Sequence, residues 1–288
     1  MRAATNGLEL EYETFGHEGD PAVLLVIGFA QQLLAWDAAF CTQLAARGFY
    51  VIRFDNRDVG LSTKLTMQGR PNILAVLGGD RSTVTYGIED MADDAAGLIA
   101  TLGIGAAHVV GVSMGGMIAQ TLALRHPSQV KSLVSIMSTT GDPSVGQPSP
   151  EAFAALTKRP PSEREAYIDH GVGVWRVLRS PGFEHDDARS RQKIAEAYDR
   201  SFFPEGATRQ FAAIVTQPER TQALGALKIP VTVIHGAADP LINRSGGEAT
   251  ARAIPRAKLL VIPGMGHDLP VGVWTTVIDA IVETAQRA

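Results

Sequence analysis

The feature that most constrains this chain is the run Ala107-His108-Val109-Val110-Gly111-Val112-Ser113-Met114-Gly115-Gly116-Met117-Ile118. An apolar stretch of strand length ends in Gly-x-Ser-x-Gly. It passes without a linker into a helical pattern that reaches Leu124 before Arg125-His126-Pro127 closes it. So abrupt a turn strains the backbone of its central residue and leaves the neighbours no room for side chains. Gly111 and Gly115 meet that demand, because a Cβ at either place would collide with the element packed across the turn. Ser113 is thereby lifted clear of the sheet, close to the positive end of the following helix. Glycine spacing alone is a weak signal in a chain of 288 residues with 29 glycines, but the flanking strand and helix make it specific. The pattern predicts covalent catalysis by Ser113.

The rest of the chain alternates in the same way. Leu8 to Phe15 alternates apolar and polar residues, as a half-exposed antiparallel strand does. Ala22–Ile27 and Tyr50–Phe54 are apolar on both faces, the mark of central strands covered on two sides. Further strand-like runs are Val130–Ile136, Val231–Ile234 and Leu259–Ile262. Helical patterns run through Trp36, Phe40, Leu44 and Ala45 to Gly48, from Ile88 to Leu102, and from Val271 to Ala285. Strands alternating with helices predict an α/β fold with a mostly parallel sheet and helices on both faces.

Between Thr140 and Leu227 that rhythm stops. The segment opens through the Pro/Gly/Ser-rich Gly141–Pro150 and continues with helical patterns near Glu151–Lys158, Glu163–Arg179, Asp186–Ser201 and Ala207–Val215. It reads as a helical lid, residues 141–227, inserted into a core made of residues 1–140 and 228–288. Such an insertion lies over the carboxyl ends of the strands, where ligands bind in sheets of this kind. The competing reading is a helical subdomain that only stabilises.

A serine hydroxyl needs a base to take its proton, and the base needs an acid to orient it. Of seven histidines, His17, His170 and His185 fall in a polar turn or in the insertion, His108 and His235 in strands, and His126 at the end of the Ser113 helix. His267 alone follows the last strand, in the glycine-flanked loop Pro263-Gly264-Met265-Gly266-His267-Asp268. The acid is expected at Asp239, directly after a strand end, with Asp142 in reserve. Asp268 adjoins His267 but points elsewhere in an extended loop. The order Ser, Asp, His suits this topology. The developing oxyanion needs preorganised donors. These are expected to be the backbone N–H groups of Met114 and of Phe29, where Gly28 lets the chain pass close.

Composition excludes other classes. The net charge of −4 and the lack of any Lys/Arg cluster argue against nucleic acid and anionic membranes. Cys41 is the only cysteine, so no internal disulfide forms. Met1–Gly7 has no apolar stretch and no apolar run approaches a membrane span, so a cytoplasmic location is expected. There is no internal repeat.

With these residues set out, the chain resembles the α/β-hydrolase superfamily over nearly its whole length. Asp55-Asn56-Arg57-Asp58-Val59-Gly60-Leu61-Ser62 is similar to its loop motif Asp-x-Arg-Gly-x-Gly-x-Ser, with Asp58 where glycine is common. Its role is expected to be structural, with Arg57 and Asp55 bonding nearby backbone. That variant, together with Tyr198-Asp199-Arg200, Pro204-x-Gly206 and Arg209-Gln210 in the insertion, resembles bacterial esterases related to the aclacinomycin methylesterases. Ile27 stands where many relatives have histidine. The resemblance implies an eight-stranded sheet and a Ser-His-Asp hydrolase of small to medium, fairly apolar carboxylic esters. It implies no cofactor or metal, and a monomer or homodimer. The insertion would then choose the ester while the core alone carries the chemistry. Alternatives on the same triad are carbon–carbon bond hydrolysis and perhydrolysis. One of a different class is a small-ligand receptor. Haloalkane dehalogenation is disfavoured, since it wants a carboxylate at position 113.

Overall fold

The alternation becomes a single eight-stranded sheet in the computed structural model, which covers residues 1–288. In chain order the elements are β1 (Arg2–Thr5), β2 (Leu8–Phe15), β3 (Ala22–Val26), α1 (Ala38–Ala45), β4 (Tyr50–Phe54), α2 (Ile73–Leu77) and α3 (Ile88–Thr101). Then come β5 (Ala107–Val112), α4 (Met114–Arg125) and β6 (Val130–Ile136). The helices α5 (Pro150–Thr157), α6 (Arg164–Leu178), α7 (Asp187–Arg200), α8 (Pro204–Val215) and α9 (Thr221–Leu224) follow without a strand among them. The chain closes with β7 (Val231–Gly236), α10 (Ser245–Ala253), β8 (Lys258–Ile262) and α11 (Trp274–Gln286). Strand order is β1-β2-β4-β3-β5-β6-β7-β8. The pairs β1/β2 and β2/β4 are antiparallel and all others are parallel. No helix is long and apolar enough to cross a membrane.

Alternate residues of β3 feed two separate layers. Leu24 and Val26 join a core with Met91 and Leu98 of α3 and Ile118 of α4, whereas Val23 and Leu25 join Phe40 and Leu44 of α1 and Ile281 of α11. Both faces are dry, which is why the central strands show no polar alternation. This places β5, and the turn at its end, in the middle of the sheet.

Several elements depart from the sequence reading. The short edge strand β1 has only Ala3 and Thr5 buried, too few residues for a visible alternation. The helix expected to run through Trp36 starts only at Ala38, where Asp37 accepts from the Ala39 N–H at 2.9 Å; Leu33–Ala35 forms a 3-10 turn instead. The closing helix likewise begins at Trp274, after a 3-10 turn over Val271–Val273. Helix α10 is hidden by Gly246 and Gly247, whose composition reads as loop. Packing demands the second of them, because a Cβ at 247 would run into the His235 ring.

His108, in β5, is buried and meets Ser132 Oγ through Nδ1 at 2.8 Å. Burial, with Lys131 nearby, holds its pKa down at about 4. In the unfolded chain a histidine takes up its proton near pH 6.5, so between about 6.5 and 4 the unfolded state binds more protons and acid favours unfolding. His108→Gln cannot charge. Its loss of urea midpoint between pH 7 and pH 4.5 should therefore be smaller than that of the wild type.

The glycines of the fold divide sharply by environment. A Cβ at Gly115 would run into the carbonyl of Val26, and one at Gly111 into the backbone of Gly115. Gly173, in α6, is exposed and has nothing near it. Gly115→Ala should therefore destabilise by about 3 kcal/mol, whereas Gly173→Ala should stabilise by about 0.5–1 kcal/mol through helix propensity. Denaturant titration followed by circular dichroism checks both, and equal effects at the two positions would contradict the packing described.

Candidate active site

Ser113 sits between β5 and α4 with φ 55° and ψ −121°, a backbone conformation that side chains rarely adopt. The turn is held from both sides. Its N–H donates to the Ile136 carbonyl at 2.9 Å, and its own carbonyl accepts from Ser138 Oγ at 2.8 Å. Strain of this kind persists only where the surroundings over-determine it. Gly28 lies directly against it: a Cβ there would stand 3.3 Å from the Ser113 Cβ. Ser113 thus projects from the carboxyl edge of the sheet, at the N-terminus of α4.

The loops after β7 and β8 come to meet it. His267 Nε2 is 3.0 Å from Ser113 Oγ, and His267 Nδ1 is 2.8 Å from Asp239 Oδ2. An ionised carboxylate can only accept, so Nδ1 carries the proton and Nε2 offers its lone pair to the serine O–H. Asp239 is itself anchored, because Oδ1 accepts from the N–H groups of Leu241 and Ile242, each at 2.9 Å. Both Asp239 and His267 are buried. Gly236 allows the two loops to touch, since a Cβ there would meet the Met265 carbonyl.

The other acids lie elsewhere. Asp142 is spent on a local turn, accepting from the Ser144 N–H at 2.8 Å and the Ser144 hydroxyl at 2.7 Å. Asp268 accepts from the Ser180 N–H at 2.9 Å and from the Ser180 hydroxyl, and burial raises its pKa. His126, at the end of α4, meets Asp93 at 2.7 Å rather than the helix dipole alone.

The Met114 N–H follows Ser113 directly and the Phe29 N–H follows Gly28, which lies against Ser113, and neither donates to an acceptor within the protein. The next amide, Ala30 N–H, is instead taken by the Gln210 side chain at 2.9 Å.

Some functional neighbours carry no sequence signal that reading residue by residue would find. His235 is completely buried, and its Nε2–H donates to the Ile242 carbonyl at 2.7 Å while lying 3.5 Å from Asp239 Oδ2. Burial lowers its pKa, so it backs the carboxylate as a neutral ring. The helical insertion also reaches into the site. The His267 N–H donates to the Leu178 carbonyl at 2.8 Å, and the Gly266 N–H to Ser180 Oγ at 2.8 Å. Arg209 pairs with Asp58 through two bonds of 2.7 and 2.9 Å, both side chains buried, and Arg200 meets Asp55 at 2.7 Å. The insertion thus holds the histidine loop from outside, while Ser113, Asp239 and His267 themselves all belong to the core.

The Asp55–Ser62 loop follows its motif at one residue and departs at another. Asp55 accepts from the backbone of Leu33 at 2.7 Å and Leu61 at 2.8 Å, as the motif suggests. Arg57 bonds chiefly a carboxylate, that of Asp94 in α3, at 2.6 and 2.7 Å, and touches backbone only at Asp90, 3.2 Å away.

Residues 21–271 match the family described as alpha/beta hydrolase fold. Over nearly its whole length the chain is similar to the rhodomycin D methylesterase DauP of Streptomyces sp. (strain C5), at 29% identity with 96% of this chain and 94% of that protein covered. The bifunctional esterase/perhydrolase DCH of Acinetobacter calcoaceticus is 26% identical, with 92% and 91% covered. Among solved structures, the enol-lactonase from Burkholderia xenovorans LB400 shares the fold at a TM-score of 0.76 and 24% identity, covering 99% of this chain and 100% of that one.

Proposed function

The chain belongs to the α/β-hydrolase family and is a carboxylesterase-type hydrolase, and from that premise we propose that it cleaves small to medium, fairly apolar carboxylic esters through an acyl-enzyme on Ser113. The observation that carries this reading is the continuous chain from Asp239 through His267 to Ser113, with links of 2.8 and 3.0 Å. Ser113 Oγ attacks the ester carbonyl while His267 Nε2 takes the hydroxyl proton. The charge that develops on the carbonyl oxygen is met by the Phe29 and Met114 N–H groups, which donate to nothing else in the protein. The tetrahedral adduct then expels the alkoxide, which leaves with the proton held by His267. Water, deprotonated by His267, attacks the acyl-enzyme, and the second adduct collapses to release the acid and restore the serine hydroxyl. Asp239 keeps the imidazole in the tautomer this requires and stabilises its charged form.

The neutral His235 beneath Asp239 supports the same assignment, since its one N–H is spent on the Ile242 carbonyl and it brings no competing charge to the carboxylate. Methyl esters are the substrates that the rhodomycin D methylesterase relatives suggest first. The Phe29–Phe211 edge contact, with ring centroids 6.1 Å apart, supports an apolar substrate by placing an aromatic of the insertion beside the proposed oxyanion loop.

Ser113→Ala should fold normally, lose roughly 10³-fold or more in kcat on p-nitrophenyl acetate, and lose labelling by a fluorophosphonate. His267→Ala should be about as severe, and the double variant scarcely worse, because the residues act as a unit. Asp239→Asn should lose kcat by orders of magnitude while Asp142→Asn retains it. The reverse pair of results would move the acid to the loop after β6, and persistent fluorophosphonate labelling of Ser113→Ala would remove the serine from its role.

A further inference from the structure

Gln210 of α8 is completely buried, and both ends of its amide are used on the core. Oε1 accepts from the Ala30 N–H at 2.9 Å, and Nε2 donates to the Arg57 carbonyl at 3.0 Å. Ala30 follows Phe29 directly and holds a positive φ of 55° without being a glycine. On the other side of Phe29, the Ile27 carbonyl accepts from Asn56 Nδ2 at 3.0 Å. Phe29 therefore lies between two clamps, one from the core and one from the helical insertion. Only a side chain with an acceptor and a donor on one planar group satisfies both contacts of position 210. A carboxylate there would face the Arg57 carbonyl with no hydrogen between them, and an apolar side chain would leave a buried N–H and a buried C=O unpaired.

We propose that Gln210 is a positioning residue for the oxyanion donor Phe29: by holding the peptide that follows Phe29, it lets the insertion set the rate of ester cleavage and not only the choice of ester. This rests on the reading of Ser113 and Phe29 given above. The strained Ala30 backbone needs an external partner to keep its geometry, and Gln210 is that partner. The neighbouring Arg209–Asp58 pair fixes α8 to the same loop system, so the amide is delivered in one orientation. Displacing a preorganised donor by a fraction of an ångström weakens the transition state while leaving ground-state binding nearly untouched.

The test compares wild type with Gln210→Met, close in size but unable to make either bond. On p-nitrophenyl acetate, kcat should fall roughly ten- to a hundredfold with KM changed by less than about threefold. Affinity for 2,2,2-trifluoroacetophenone, which forms an oxyanion on reaction with the serine, should fall by the same factor, while that for acetophenone should not. A role confined to holding the fold would lower the melting temperature and leave the ratio of the two ketone affinities at its wild-type value, which would overturn the proposal. Should the variant not fold, amide hydrogen exchange on the wild type decides. Ala30 N–H protected in step with the amides of α8 supports the clamp, and rapid exchange at Ala30 beside a protected α8 refutes it. Ser113→Ala in the same assays keeps the two readings apart. If it abolishes turnover while Gln210→Met behaves as wild type, only the role of Gln210 fails. If Ser113→Ala retains turnover, the serine reading fails and takes this one with it.

Discussion

The structure depends on one strained residue. Ser113 can hold a positive φ at the end of β5 only because the chain around it is stripped of side chains: Gly111 and Gly115 meet backbone to backbone across the turn, and Gly28 presses against the serine itself. A Cβ at Gly111 or Gly115 would prevent the approach outright, and one at Gly28 would crowd the serine. Together the three glycines bring the end of β3, the end of β5 and the start of α4 closer than ordinary packing allows. The hydroxyl then stands at the centre of the sheet's carboxyl edge, beside the loop that follows β3 and in hydrogen-bond reach of His267 in the loop that follows β8. Position, rather than any special chemistry of the serine, makes a relay possible.

The relay is built on burial. Asp239 is out of solvent, yet every lone pair the structure uses faces a backbone N–H or an imidazole. A buried carboxylate stripped of such partners would neutralise instead. His235 lies beneath it with one nitrogen committed to the Ile242 carbonyl and the other, Nδ1, left without a partner against Gly247. Because burial keeps His235 uncharged, the negative charge of Asp239 remains directed at His267. A second cation there would compete for it.

How much of this was legible in the sequence follows the reach of each interaction. The turn at Ser113 is a local requirement, written as glycine spacing between a strand and a helix. Asp239 and His267 could be singled out because each follows a strand end in a glycine-bearing loop, although sequence alone left Asp142 in contention. What escaped is long-range. Asp58 stood out as a departure from the loop motif and Arg209 as part of the insertion's resemblance to a group of esterases, but nothing local says that they are partners, and the structure joins them as a buried ion pair. The same holds for the Arg57 bond to Asp94 and for the Leu178 carbonyl that secures His267. Helix α10 escaped for another reason: its glycines serve the packing of His235 and Ile242 and disguise the helix. The insertion read as a cover with a single task, because a helical pattern does not reveal what its side chains grip.

The seam between the insertion and the core has a thermal consequence. Besides apolar contacts such as Phe29 against Phe211, this seam is keyed by the Asp58–Arg209 and Asp55–Arg200 pairs, all four side chains largely withdrawn from water. Hydration of charged groups becomes less favourable on warming, so the penalty for keeping these pairs dry shrinks, while the stabilisation per unit of buried apolar area levels off. Heat therefore tightens this joint relative to the packing of the sheet.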